Sequence, residues 1–378
     1  MGVGARRVLL VTSGLALIAL AAVALATGAG TPRPSLVLVT VAGLRADDVT
    51  QDAMPHLAAL ASGGQAFELQ TNVPLAAPAL AALFAADEPD RTGVRFDDLG
   101  RLAPGRPTLA ARLAEHGYHA WGFVGDGRLS PMSGLFRGFE RVRAPSTPFD
   151  QAILPDERER LRPPRGGAYR AAELTAAVAD TLKGLQRVSR VFAWIHLAEP
   201  SLALSEAAGE ARDEARRRAL REVDDALGTL RGLVDSARMG RRVALVVVSV
   251  HGEALGEQGE TRHGLTLGAG VVRVPVVARL PAGARLAPEA PVLSRLGPAL
   301  LEALGIDGRP DEEAAPAPLQ ATWLPSRRFG WPDRARTWSA DGWTEVAPDD
   351  ARARRAGLAL DRPAPAHRDE VLAALAEA

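Results

Sequence analysis

Apolar runs rich in valine and leucine recur along the chain and alternate with stretches of helical periodicity. Ser35 to Val41, Ala66 to Leu69, His119 to Val124, Arg190 to Leu197, Arg242 to Val250 and Val271 to Leu280 read as strands. Most are apolar without alternation, the pattern of strands buried on both faces of a parallel sheet. Between them, Met54 to Ser62, Thr108 to His116, Ala171 to Leu185, Glu206 to Val234 and Leu293 to Leu304 have helical spacing. An Ala/Leu segment with Pro78 in its first turn predicts another helix, and Gly305 ends the one over Leu293 to Leu304. This alternation predicts an α/β domain, a mostly parallel sheet with helices on both faces. The run to Val250 predicts the central strand, and it opens at His251-Gly252-Glu253 into a glycine-spaced polar loop through Glu260. Ligands of open α/β sheets sit past the carboxyl ends of such strands, so chemistry is expected at His251.

The two ends of the chain have a different texture. Val8 to Ala26 carries no charge and follows Arg6-Arg7, a length close to that needed to cross a bilayer. With the arginines held inside, the rest of the chain faces outward, as a membrane-anchored periplasmic or cell-surface domain. Ala24-Leu25-Ala26 offers a cleavage site should the segment be a removable signal, which would make the domain secreted. Past the acidic, then Ala/Pro-alternating stretch 311–318, four tryptophans appear: Trp323, Trp331, Trp338 and Trp343. Strands flanking a turn at Ala340-Asp341-Gly342 predict a β-hairpin there, and His367 to Glu377 a final helix. The aromatic cluster reads as the core of a small subdomain, with a sugar-binding face as the alternative. The expected organisation is an anchor over 1–30, an α/β domain over 31–319 and a small α+β subdomain over 320–378.

Composition removes several functions. The 378 residues hold 45 basic and 45 acidic side chains, so no charge imbalance points to nucleic acid. Cysteine is absent, which excludes disulfides, thiolate metal sites and cysteine nucleophiles. Lys183 is the single lysine, so a lysine-assisted site has one donor to draw on.

The run Thr40-Val41-Ala42-Gly43-Leu44-Arg45-Ala46-Asp47, then Met54-Pro55-His56-Leu57, then His251-Gly252-Glu253, in that order, resembles the sulfatase family of the alkaline phosphatase superfamily. Thr40-Val41-Ala42-Gly43-Leu44-Arg45-Ala46-Asp47 is similar to that family's first-strand motif, and Met54-Pro55-His56-Leu57 to its Thr-Pro-Asn-Leu helix. Ala114-Glu115-His116-Gly117-Tyr118, Gly138-Phe139 and Arg273-Val274-Pro275-Val276 fit in the same order. Val248-Ser249-Val250-His251-Gly252-Glu253 through Gly259-Glu260 resembles its Ser-Asp-His-Gly-Glu signature. The resemblance implies the sulfatase-like fold, a divalent cation and hydrolysis of sulfuric or phosphoric esters.

At the positions that carry this chemistry the chain departs from the pattern. Metal-binding carboxylates implied at the end of the first strand are Ala42 and Gly43, and the one beside His251 is Val250. The nucleophile implied after Pro78 falls at Ala79, with Leu80 where a polar residue is usual. Glu199-Pro200-Ser201 stands for the family's Asp-Pro-His, with Ser201 replacing the histidine. Hard cations require several oxygen ligands, and alanine has no atom to attack with.

The polar residues that survive are His251, His263 and His196, with Glu253, Glu257 and Glu260 in the loop. His251 and His263 with a third ligand suit a borderline metal such as zinc; the plainer reading is hydrogen-bonded structural histidines and solvated loop carboxylates. His196 reads as a satisfied core histidine, and Asp47 and Asp48 as caps of a helix start. The leading expectation is a membrane-tethered sulfatase-like pseudoenzyme with no cofactor, binding a protein or glycan partner. The alternatives are an active ester hydrolase rebuilt around His251 and His263, taking calcium or zinc, and a structural envelope protein.

Overall fold

The computed structural model describes residues 33–94, 97, 100–129, 133–145, 169–183, 190–207, 211–236, 243–257, 261–264, 267–309, 322–325, 332–339 and 342–345. The expected anchor at 8–26, the acidic linker and the final helix lie outside the described residues. Among those described, no helix is long and apolar enough to cross a membrane.

Seven strands form the main sheet: β1 (Ser35–Ala42), β2 (Gln65–Gln70), β3 (Tyr118–Val124), β4 (Arg141–Arg143), β5 (Arg190–Leu197), β6 (Val243–His251) and β7 (Arg273–Arg279). Their order is β2-β7-β6-β1-β5-β3-β4. β1 takes the middle position, with β6 beside it rather than at the centre. β1 pairs in parallel with β5 and β6, and β3 in parallel with β4 and β5; β7 runs antiparallel to both β2 and β6. The inner strands are continuous apolar runs because helices cover both faces. All of β6 is buried, and all of β1 except Ser35.

The nine helices described are α1 (Pro55–Ser62), α2 (Ala76–Ala85), α3 (Pro89–Thr92), α4 (Leu109–Glu115), α5 (Ala171–Lys183), α6 (Glu199–Glu206), α7 (Ala211–Asp235), α8 (Ala269–Val272) and α9 (Leu296–Ala303). Alternate side chains of the strands feed two cores. One holds Leu36, Leu38, Trp194, Val248 and Val250 against α2, α4 and α9. The other holds Val37, Val39, Ile195 and Val247 against α1, α5 and α7. Trp194 is fully buried and meets Phe84 edge-on at 4.9 Å, a favourable aromatic geometry.

Capping follows the sequence closely. Thr108 accepts from the Ala111 amide to start α4. Asp48 accepts from the Arg45 amide across the short 3-10 turn Ala46–Asp48, the capping role expected of it. α1 lacks a cap of its own, and Asp224 of α7 supplies one, accepting from the amides of His56 and Leu57. The helix expected over Glu206 to Val234 is α7, and a separate helix that was not expected, α6, precedes it, because Pro200 in a first turn opens it directly after β5. In the C-terminal region β8 (Thr322–Pro325), β9 (Pro332–Ser339) and β10 (Gly342–Glu345) form an antiparallel sheet, and β9 and β10 are the expected hairpin.

Candidate functional site

The parallel strands β1, β3, β5 and β6 end at one edge of the sheet, so the residues just past them meet. Gly43 follows β1 and donates its amide to the His251 carbonyl at 2.9 Å. Ser249 ties the same ends by donating to the Val41 and His251 carbonyls. Past β5, α6 brings Ser201 in, and past β6 come His251, Gly252 and Glu253. A loop over 261–264 returns His263 onto them.

His251, Glu253 and His263 are the group that the structure assembles. One ligand atom from each lies within 4.8 Å of the other two. The imidazole rings of His251 and His263 are 4.0 Å apart, tilted by 31°. His263 Nδ1 is 2.8 Å from Glu253 Oε1. His251 Nδ1 is 2.9 Å from the Gly252 carbonyl, which accepts only, so Nδ1 carries the proton and Nε2 presents its lone pair. Among the described residues that Nε2 has no partner, and neither does Glu253 Oε2. The Ser201 hydroxyl stands beside the carboxyl and lowers its proton affinity, yet neither it nor Oε2 completes a well-formed hydrogen bond.

Burial governs the protonation of this group. His251 and Glu253 are fully buried, and the His263 side chain is 4% exposed. Desolvation, and then the neighbouring imidazole, pushes His251 down to about 3. Desolvation, followed by the charges of Arg128 and Arg262, pushes His263 down to about 3 as well. Desolvation raises the Glu253 carboxyl above the usual range, against the attraction of His251. Both imidazoles are therefore neutral at pH 7, the form that binds metals.

Arg128 and Asp126, past the end of β3, are a pair that the motifs did not single out. Arg128 grips Asp126 through Nε at 3.0 Å and Nη2 at 2.8 Å. Burial of Asp126 alone would raise its carboxyl; the Arg128 hydrogen bonds and charge bring it below the ordinary value. The signal available was positional, since polar Asp126 and Arg128 directly follow a buried parallel strand.

The other expected residues lie apart. His196 pairs with Thr40 across β1 and β5, its Nδ1 2.8 Å from the Thr40 hydroxyl, and it is buried. Glu257 turns away from the histidines to Arg45, which donates to it at 2.7 Å. Glu260 lies outside the described residues. α2 begins at Ala76, so Ala79 sits a turn inside it, with its amide bonded to the Leu75 carbonyl and its side chain in the core. Leu75, not Ala79, approaches the 261–264 loop, its Cδ2 3.4 Å from where a Cβ on Gly264 would stand. From Leu75 to Leu80 every side chain is hydrocarbon, so no part of the helix start offers a nucleophile.

One family model, described as Sulfatase, matches residues 34–306, a span that includes the main sheet and the His-Gly-Glu loop. The chain belongs to the sulfatase family. No curated protein matches it. Solved structures share the fold at low identity. A 2-O GAG sulfatase is 16% identical, covering 91% of this chain and 90% of its own, with a TM-score of 0.59. The phosphonate monoester hydrolase of Silicibacter pomeroyi is 16% identical, covering 86% and 93%, with a TM-score of 0.58. That of Agrobacterium radiobacter is 16% identical over 91% and 96%, with a TM-score of 0.58. This sulfatase-family chain presents Ala42, Gly43 and Val250 where the resemblance calls for carboxylates, and Ala42 and Val250 are fully buried among apolar side chains. These positions do not fit a hard cation, which needs oxygen ligands.

Proposed function

We propose that this sulfatase-family protein is a pseudoenzyme that acts by binding, not by ester hydrolysis. The observation that carries the reading is the chemistry of the strand-end edge. Ala42, Val250 and Ala79 are fully buried hydrocarbon, and Gly43 is closed against Ser201 and Glu253. Ester hydrolysis in this fold needs a Lewis acid on the ester oxygens and an activated nucleophile. Neither can be supplied by methyl, isopropyl or hydrogen. The surviving polar group, His251, Glu253 and His263, is itself buried, which disfavours its use on an ester substrate.

Tethering to the outer face of a membrane through residues 8–26 belongs to the same proposal. The apolar segment and its arginine flank support it. The partner class is a protein or a glycan, and the glycan side draws on the 2-O GAG sulfatase among the similar structures.

The test is turnover. The full chain in detergent, assayed with aryl sulfate, aryl phosphate and aryl phosphonate esters in the presence of Ca²⁺, Mg²⁺, Mn²⁺ or Zn²⁺, is expected to give none above buffer. Turnover that disappears in His251→Ala overturns the proposal in favour of a rebuilt hydrolase. A rise in melting temperature with a sulfated glycosaminoglycan fragment, without turnover, separates a binding role from a purely structural one.

A further inference from the structure

We propose that a cleft beside α4, edged by Arg101, Arg106 and Arg137, docks an acidic peptide segment of a protein partner. This rests on the binding role proposed above and gives that role a place and a partner chemistry.

The cleft has a volume of about 550 Å³, and Pro104, Pro107 and Glu115 line it together with the three arginines. None of its lining residues belongs to the strand-end edge. Glu115 closes α4 just before β3 begins, so the cleft runs towards the opposite edge of the sheet. A space of this size is far larger than one inorganic ion and falls within the roughly 300–1,000 Å³ of sites for larger organic ligands.

Charge decides what fits there. Arg137 donates from Nη1 to the carbonyls of Ala103 and Arg106, at 3.2 and 2.9 Å, and from Nη2 to that of Leu102 at 3.1 Å. Those partners are neutral, so they orient the guanidinium without cancelling its charge. Arg106 meets Asp87 at 2.8 Å, but Asp87 also meets Arg91 at 3.3 Å, one carboxylate between two cations. Arg101 is exposed, and among the described residues no carboxylate pairs with it. Against the three guanidinium groups the lining sets a single carboxylate, Glu115. The surplus is positive, and guanidinium groups hold carboxylates through paired N–H donors. Clustered arginines are a general means of recognising acidic peptide motifs.

The walls favour a peptide over a sugar. No aromatic side chain lines the cleft, so the flat apolar platform that suits a sugar ring is absent. The loop is also set before any ligand arrives. Pro104 and Pro107 fix their φ, the Leu102 amide donates to the Ser133 carbonyl at 2.7 Å, and the Ala103 amide to the Thr92 carbonyl at 2.9 Å. A preformed cleft loses little conformational freedom on binding.

The test is fluorescence anisotropy of a labelled peptide of alternating Asp and Glu, titrated with the full chain in non-ionic detergent at low salt. Saturable binding is expected, weakening as salt is raised, and the Asn/Gln counterpart is expected not to bind. Arg101→Glu is expected to weaken binding about tenfold and Glu115→Gln to tighten it about threefold, since they move the charge of the cleft in opposite directions. Both side chains are exposed, so both variants are expected to keep the wild-type melting temperature. Equal binding of the two peptides, or none of the acidic one, overturns the proposal. So does an affinity that neither variant changes. A sulfated glycosaminoglycan fragment that depends on Arg101 and displaces the peptide overturns it in favour of a glycan. Peptide binding that appears only when Asp311, Glu312 and Glu313 are changed to their amides overturns it in favour of the chain's own acidic stretch. Ester turnover with docking intact would sink the binding-only role and leave the docking site standing, whereas neither turnover nor docking does the reverse.

Discussion

A Cβ on Gly43 would stand 2.8 Å from the Ser201 amide nitrogen and 3.1 Å from Glu253 Oε1. Gly43 also holds a φ of +84°, a conformation that side chains rarely adopt. The end of β1 has thus closed on α6 in the space that a side chain would need. Gly43→Ala is expected to cost at least about 2 kcal/mol, from left-handed strain of roughly 1–2 kcal/mol and the backbone contact. Urea unfolding of the two proteins measures it, and an unchanged midpoint would show that the edge is not closed.

Val250 sits in the apolar core although it lies directly beside His251 in sequence. Val250→Asp puts back a carboxylate where the resemblance has one, but into hydrocarbon with no partner at Ala42 or Gly43. The expected cost is roughly 3–5 kcal/mol at neutral pH, the scale for an uncompensated buried charge. Desolvation raises the pKa of such an acid, so its charge, and hence the penalty relative to wild type, shrinks as the pH is lowered. Denaturant titrations at pH 8 and pH 5 check both the size and its direction. Ester turnover is expected to stay absent in this variant.

Much of the fold was legible in the chain, and for a reason. Strands buried on both faces leave unbroken Val/Leu runs such as Val243 to Val250, and nothing else of that length competes with them. The pairing of β9 and β10 was announced by Asp341-Gly342 in the sequence between two extended runs. The separate helix α6 was missed because Glu199-Pro200-Ser201 was weighed as a motif, not as a helix start. At the site, the histidines and Glu253 could be named from one loop, yet which carboxylate turns inward could not. Glu253 and Glu257 differ by four positions, and Glu257 is held outward by the Leu255 amide and by Arg45 from another strand end. The Asp126–Arg128 pair carried only a positional signal, directly after a buried strand, while the groups that face it, Asp97, His196 and Glu253, come from distant parts of the chain.

Asp48 and Arg216 form a buried ion pair that joins the loop after β1 to α7. Arg216 donates from Nη1 at 2.9 Å and Nη2 at 2.5 Å to the two carboxylate oxygens, and both side chains are 9% exposed. Removing one partner leaves a buried charge, so Arg216→Met is expected to destabilise by roughly 3–5 kcal/mol. The double variant Asp48→Leu, Arg216→Met is expected to be more stable than that single one, since it leaves no orphan charge. It keeps a residual loss, on the order of 1 kcal/mol, from the hydrogen bond that Asp48 accepts from the Arg45 amide. A double-mutant cycle by urea unfolding reads these terms. A double variant no better than Arg216→Met would contradict the pairing as the source of the effect.

His196 supplies a pH dependence of known sign. Desolvation pushes it down to about 4, with the Asp126 charge opposing in part. The folded protein thus refuses a proton that the unfolded chain takes up near pH 6.5. Stability linked to this residue is complete above pH 6.5 and is lost as the pH falls towards 4, a change on the order of 3 kcal/mol. The ring also has a partner to keep, because the Thr40 hydroxyl accepts from Trp194 Nε1 at 2.9 Å and meets His196 Nδ1 at 2.8 Å. His196→Asn retains a polar nitrogen near the Nδ1 position but has no group that titrates. Its unfolding free energy is therefore expected to fall less steeply than that of the wild type between pH 7 and pH 4.5. His251 and His263 titrate in the same direction in both proteins, so the difference between the two curves isolates His196. Parallel curves would mean that His196 takes up its proton in the folded state as readily as in the unfolded one, against the desolvation that its burial imposes.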